Sequence, residues 1–133
     1  MDEMTLQEYL AAQNKKPKRS KYGNKKTNVD GLTFDSKVEA VRYQELRLLE
    51  VSGEISQLAT HKTFTIQPAF IDQRGKKHRA ITYQSDFDYL DKYQNWIVED
   101  VKGKTAPLTT TFKIKMKMLL YTHDNIDFRI IRL

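Results

Sequence analysis

The sequence predicts a single α/β domain, and three observations carry that prediction. Patterned segments follow one another as helix, three strands, helix, strand; the apolar period switches between about 3.6 and 2 along them; and the chain is 133 residues long, 39% apolar and 30% charged. That length supports one core of ordinary extent and is too short for two full domains. Zero cysteines exclude a disulfide scaffold, a thiolate zinc site and a cysteine nucleophile, and fit a reducing compartment. The longest uncharged apolar stretch lies around Met118 to Leu120, far below the roughly 20 residues that span a bilayer. The first 13 residues are acidic where a signal peptide is basic, so the expectation is a cytoplasmic protein with no membrane partner.

Leu6 and Leu10 sit at i,i+4 in residues 4–13 and predict a short helix, marginal by itself. Residues 14–29 are mostly Lys, Asn, Ser and Gly and predict a flexible arm. Ser36 and Glu39 form an S-x-x-E capping box, and Val38, Val41, Leu48 and Leu49 then recur with helical spacing until Ser52 and Gly53 stop the helix. Residues 64–71 read as a strand in which Pro68 marks an edge or a bulge, and 72–77 (DQRGKK) as a turn. Residues 81–90 alternate, with Tyr83, Phe87 and Tyr89 on one face and Gln84, Asp86 and Asp88 on the other. A short turn then leads into strand 96–102, predicting an antiparallel hairpin. Residues 108–123 fit both periods; the N-capping threonines 109–111 and the Lys, Met and Leu content favour a helix, and residues 126–133 close the chain as a strand.

Charge is unevenly placed. Of 23 basic residues, seven (Lys15, Lys16, Lys18, Arg19, Lys21, Lys25 and Lys26) fall within residues 14–26, a stretch with no acid. From Thr27 onward there are 16 basic and 14 acidic residues, so the body is close to neutral while the arm sets the net charge of +6. An arm of this kind without an apolar face points to a polyanion, nucleic acid before membrane. The resulting division is residues 1–28, short helix and polybasic arm, and residues 29–133, folded domain.

Asp86, Asp100 and Lys102 are the informative residues. Positions 100 and 102 of a strand share a face, their Cα atoms roughly 7 Å apart. A turn centred near Tyr93 gives pairing sums near 186 and sets Asp86 opposite Asp100, to within one residue. Two acids on adjacent strands beside a lysine can hold a hard divalent cation, with a backbone carbonyl and water completing its shell. Glu39 lies about 20° from Leu46 around the helix, so its carboxylate can face the sheet.

The order of Glu39 on the first helix, Ser85-Asp86 on one strand, Glu99-Asp100-Val101-Lys102 on the next and then a helix containing Lys113 resembles the PD-(D/E)XK nuclease superfamily. The wording SKVEAVRYQELRLLEVSGEISQL, ITYQSDFDYLD, WIVEDVKG and TTTFKIKMKMLL resembles, more closely, small phage and prophage proteins assigned to it. The likeness runs from about Asp30 to Leu133. It implies a restriction-endonuclease-like core, a mixed sheet of about four strands flanked by helices. It also implies a Mg²⁺- or Mn²⁺-dependent endonuclease acting on DNA in phage recombination, repair or processing. By the same likeness Glu39, Asp86, Asp100 and the Val101 carbonyl hold the metal and Lys102 serves the catalytic water. Ser85 stands where the motif carries Pro, and Asp100 where Glu is more usual.

Plainer roles compete for each residue. Glu39 can serve simply as the partner of the Ser36 amide in the capping box, Glu45 lies nearer the middle of the apolar sector, and Asp88 shares a strand face with Asp86. Asp100 and Lys102 can be a structural ion pair. Glu99 points to the opposite face and reads as structural. Lys113 and Lys117 can touch a phosphate backbone or line a solvated face, and His61 and His78 are isolated with no ligand spacing. The rival function is a non-catalytic DNA-binding recombination accessory protein. Cutting two strands at once would call for a homodimer.

Overall fold

The computed structural model describes residues 26–133. The predicted helix over 4–13 and the arm residues Lys15, Lys16, Lys18, Arg19, Lys21 and Lys25 lie outside them. The arm as predicted reaches too far: Thr27–Val29 is strand β1, paired antiparallel with β2 (Leu32–Phe34). Asp30 and Gly31 join them, with φ of 53° and 77°, the two consecutive left-handed residues that a tight hairpin turn requires. Phe34, fully buried, anchors this hairpin in the core, and the boundary proposed at residue 28 therefore cuts through a strand.

Helix α1 (Lys37–Val51) starts at Ser36, whose hydroxyl accepts the Glu39 amide at 3.2 Å. Only this half of the predicted capping box forms, because the Glu39 carboxylate turns away. At the other end Gly53 (φ 85°) donates to the Glu50 carbonyl and Glu54 to that of Leu49, the paired bonds of a Schellman stop. The buried stripe is Ala40, Tyr43 and Leu46, not the predicted aliphatic one; Val41, Leu48 and Leu49 are exposed at 41%, 71% and 39%. Of the predicted residues Val38 does pack against the core, while small Ala40 lets the helix close on the sheet and Tyr43 and Leu46 supply the area expected of Val41, Leu48 and Leu49.

The main sheet is mixed and four-stranded, ordered β10-β9-β8-β3, where β3 is Ile55–Thr60, β8 Phe87–Asp91, β9 Trp96–Lys102 and β10 Ile126–Arg132. Strands β9 and β10 are parallel and the other pairs antiparallel. Strand β3 was unassigned in the sequence, where a bulge at Gln57 (φ 56°) breaks its alternation. The predicted strand 64–71 divides at Pro68 into β4 (Thr63–Gln67) and β5 (Phe70–Ile71), and neither joins the main sheet. Strand β5 pairs with β6 (Lys77–His78) across the predicted turn, where Asp72 Oδ1 accepts the Arg74 and Lys76 amides.

The predicted strand 81–90 is also two. Strand β7 (Ile81–Gln84) pairs with β4, while β8 pairs with β9 and β3, and the chain changes sheet at Ser85 and Asp86. Tyr83 consequently packs with Phe64, Ile66, Val98 and Leu119, whereas Phe87 and Tyr89 pack on the other face with Phe34, Tyr43 and Leu46. The expected common face of Tyr83, Phe87 and Tyr89 is absent for that reason. The β8–β9 register does follow the sum of 186, from Phe87↔Glu99 to Leu90↔Trp96. Helix α2 (Thr110–Thr122), capped by the Thr109 hydroxyl on the Phe112 amide, connects β9 to β10 and covers the face opposite α1. Buried on both faces, β9 is the centre of the fold. Among the described residues no helix is long and apolar enough to cross a membrane.

Candidate metal centre

The change of sheet at Ser85 and Asp86 is what builds the site. Ser85 is fully buried, and its amide donates to the Lys62 carbonyl at 2.9 Å, with its hydroxyl at 3.4 Å from the same oxygen. The Asp86 carbonyl accepts the His61 amide at 3.2 Å. These bonds strap the β3–β4 turn to the β7–β8 junction. They hold His61 in a left-handed conformation, φ 53°, which His adopts more readily than most residues but which is uncommon for any side chain other than Gly. A proline at 85 has no amide to make the first of these ties.

Asp86 donates its own amide to the Glu99 carbonyl, and its Oδ2 accepts the Val101 amide at 2.6 Å, so Val101 contributes an N–H to this acid. Glu39 arrives from the first turn of α1 with 13% of its side chain exposed; its Oε2 is occluded from solvent and has no hydrogen-bond partner. His61 Nε2 stands 3.7 Å from that oxygen, beyond hydrogen-bond length. One donor atom from each of Glu39, His61 and Asp86 lies within 4.8 Å of the other two. Burial, then the charges of Asp35 and Asp100, push the Glu39 carboxyl up to about 7. Burial, then Glu39 and Asp100, push Asp86 up to about 7 against the opposing pull of the Val101 amide and Lys102. Three carboxylates thus share a poorly hydrated volume, an arrangement that a bound cation relieves.

Asp100 is buried beside this group but outside the three-donor set. The Tyr83 hydroxyl donates to its Oδ2 at 2.5 Å, and Lys102 Nζ lies 3.0 Å from its Oδ1. Burial, with Asp100 next, raises the Tyr83 phenol far above its usual range, so it stays a donor. The Lys102 ammonium also rests 4.3 Å from the centre of the Phe112 ring, a cation–π contact that ties α2 to the site. On the opposite face of β9, Glu99 is fully buried and bound by Arg42, Nε to Oε1 at 2.8 Å and Nη2 to Oε2 at 2.7 Å, and by the Tyr89 hydroxyl. This pair locks α1 to β9 and so fixes Glu39 against Asp86.

Other candidates fall elsewhere. Asp88 accepts the Trp96 indole N–H at 3.0 Å and faces an open cleft of about 460 Å³ also lined by Lys62, which contains none of Glu39, His61 or Asp86. Glu45 is exposed and paired with Arg42 at 2.9 Å, and His78 with Asp72 at 2.9 Å in the β5–β6 hairpin. Lys113 and Lys117 are exposed on α2, and Lys26 is exposed before β1. His61, Tyr83 and Arg42 were missed in the sequence. A lone His in a turn carries no spacing signal; the one hint was Ser85, a residue with an amide where the resembling motif has none.

These features define an α/β protein with a mixed four-stranded sheet and a carboxylate–imidazole cluster at the β7–β8 junction. The chain belongs to the family described as Protein of unknown function (DUF1064), which matches residues 19–133. No curated protein and no solved structure matches it.

Proposed function

We propose that the chain is a metal-dependent endonuclease of the PD-(D/E)XK kind, hydrolysing DNA phosphodiester bonds in the cytoplasm on a restriction-endonuclease-like core. One observation carries this reading. Glu39, Asp86, Asp100 and Lys102 come from a helix, a strand junction and a central strand, yet lie close enough for the Asp100 charge to raise the proton affinity of both Glu39 and Asp86 while Lys102 lowers it. A structural ion pair between Asp100 and Lys102 would need neither of the other two acids.

The residues present fit a divalent cation: Glu39 offers an occluded oxygen without a donor, and Asp86 and His61 offer donors within reach of it. Bound there, Mg²⁺ or Mn²⁺ would polarise a phosphate oxygen and make a water more acidic. The chain's own groups do the positioning. Tyr83 fixes one oxygen of Asp100, the other holds Lys102, and the Phe112 ring limits where the ammonium goes. Lys102 Nζ thereby orients the attacking water and steadies charge growing on the phosphate. Lys113, Lys117 and the polybasic arm supply sequence-independent affinity for the DNA backbone. No base-reading module is recognisable, which favours weakly specific or structure-selective cleavage in recombination, repair or processing.

The test is cleavage of supercoiled, branched and single-stranded DNA with Mg²⁺ or Mn²⁺, comparing wild type with Asp100→Ala and Lys102→Ala. Metal-dependent cutting lost in both variants is expected. Cutting that survives both would refute the assignment, and no cutting by the wild type on any of these substrates would refute the activity.

A further inference from the structure

We propose that His61 is a direct ligand of the cation and makes this site prefer Mn²⁺ over Mg²⁺. The inference rests on the metal-binding part of the reading above and not on its chemistry.

Geometry is the first support. Metal–donor bonds of about 2.0 to 2.3 Å place two ligands of one ion roughly 3 to 4.6 Å apart. The 3.7 Å between His61 Nε2 and Glu39 Oε2 falls inside that span and is too long for a hydrogen bond. The 4.8 Å limit on all three donors needs only a small contraction to meet it. An imidazole serving merely to satisfy Glu39 would sit about an ångström closer, and Oε2 would not be left without a donor.

Placement is the second. His61 does not reach the acids by a flexible loop. Its amide is bonded to the carbonyl of Asp86, itself one of the three donors, and the following carbonyl takes the Ser85 amide. Its ring packs against the buried Phe34, centroids 5.8 Å apart. A ligand that is bonded through its backbone to a second ligand is pre-positioned, and little ordering remains to be done when the ion binds.

Donor chemistry decides which ion. Mg²⁺ favours oxygen ligands and gives up water reluctantly, so all-carboxylate sites suit it. Replacing one oxygen by a neutral imidazole nitrogen shifts preference towards first-row transition ions, of which Mn²⁺ is the one that also retains the oxygen-rich coordination Glu39 and Asp86 provide.

The experiment uses the full chain. Wild type and His61→Asn are titrated with Mn²⁺ and with Mg²⁺ by calorimetry, and pulsed electron paramagnetic resonance of the Mn²⁺-loaded wild type looks for coupling to an imidazole ¹⁴N. Asn is chosen because it tolerates the left-handed backbone at 61 and offers oxygen in place of nitrogen. The wild type is expected to bind Mn²⁺ at least tenfold more tightly than Mg²⁺ and to show the ¹⁴N coupling. His61→Asn should lose about tenfold or more in Mn²⁺ affinity while Mg²⁺ affinity changes less than threefold. Equal losses for both ions would mean that His61 only supports the fold of the site, and absence of ¹⁴N coupling in the loaded wild type would overturn the assignment without any variant. The two readings fail separately. Nitrogen-coupled Mn²⁺ in a protein that cuts no DNA leaves the ligand in place and removes the nuclease; Mg²⁺-supported cutting with no ¹⁴N coupling does the reverse.

Discussion

Stripping the protein of metal with EDTA and then lowering the pH from 8 to 5 is expected to raise its melting temperature. Glu39 and Asp86 ordinarily titrate near 4.5 and 3.8, and in the fold both are held at about 7, chiefly by burial and then by neighbouring carboxylates. Between about pH 4 and pH 7 the native state therefore binds protons that the unfolded chain has released. Stability falls as pH rises through that window and levels off above it. A proton taken up by either acid removes its charge from beside the other, so the pair contributes about one proton over this window. A single site with a native pKa near 7 gains on the order of 2 to 3 kcal/mol between pH 8 and pH 5. For a chain of this size that is on the order of 10 °C. Melting of the metal-free protein followed by circular dichroism at half-unit pH steps measures it.

The Asp86→Asn variant isolates the effect from other titrations. It removes one of the repelling charges, so at pH 8 it should melt several degrees above the metal-free wild type, and its slope between pH 8 and pH 5 should be much flatter. Saturating Mn²⁺ at pH 8 should raise the wild-type melting temperature, by about 2.7 kcal/mol of added stability at 100 times the dissociation constant. A wild-type curve that is flat or falls on acidification, together with an unchanged slope in Asp86→Asn, would show that these acids do not crowd one another in the fold.

Glu99→Ala leaves the Arg42 guanidinium without its buried partner and is expected to cost about 3 to 5 kcal/mol, read as a lowered urea midpoint; Glu45→Ala, which touches Arg42 from solvent, should change stability by less than about 1 kcal/mol. Ser85→Pro restores the residue of the resembling motif but removes both bonds to the Lys62 carbonyl. It should destabilise by about 1 to 3 kcal/mol and weaken Mn²⁺ binding more than Mg²⁺ binding, as calorimetry on the variant would report. Deleting residues 14–26 should flatten the salt dependence of DNA affinity, by up to about six in log–log slope if all seven basic residues meet phosphates, with cleavage at saturation unchanged.

The parts of the fold that were legible in the sequence are those where local chemistry and tertiary packing ask for the same residue. The Ser36 cap, the Ser52-Gly53 stop, the Asp72 turn and the Asp91 turn, where one carboxylate oxygen accepts the Tyr93 and Asn95 amides, each satisfy their own backbone within a few residues. The β8–β9 register followed from that second turn. Where burial is decided by distant elements, the reading failed. Helix α1 presents Ala40 and Tyr43 to the sheet because the β1–β2 hairpin and β3 lie there, and no pattern inside the helix announces them. The alternation through residues 81–90 is continuous on paper, yet the chain leaves one sheet and enters another at its middle.

That break joins fold to site. A strand running uninterrupted through residues 81–90 would keep the backbone amides and carbonyls of Ser85 and Asp86 within one ladder. Because the ladder stops, the Ser85 amide and the Asp86 carbonyl turn to the β3–β4 turn and fasten His61 and Lys62 there, while the Asp86 side chain takes the Val101 amide instead of solvent. Asp100 and Lys102 share one face of a single strand, which alternation alone gives, whereas the β8–β9 ladder ends at Phe87↔Glu99 and Asp86 stands one residue beyond it, at the break. His61 depends on the break itself, and hydrophobic periodicity, which counts faces, cannot register a residue whose position is set by two backbone hydrogen bonds. A physical signal was nonetheless present: a buried Ser in place of Pro supplies an amide, and a buried amide must be satisfied by something. Here its partner is the residue next to the imidazole, so the departure from the motif at position 85 and the nitrogen donor at position 61 are two ends of one arrangement.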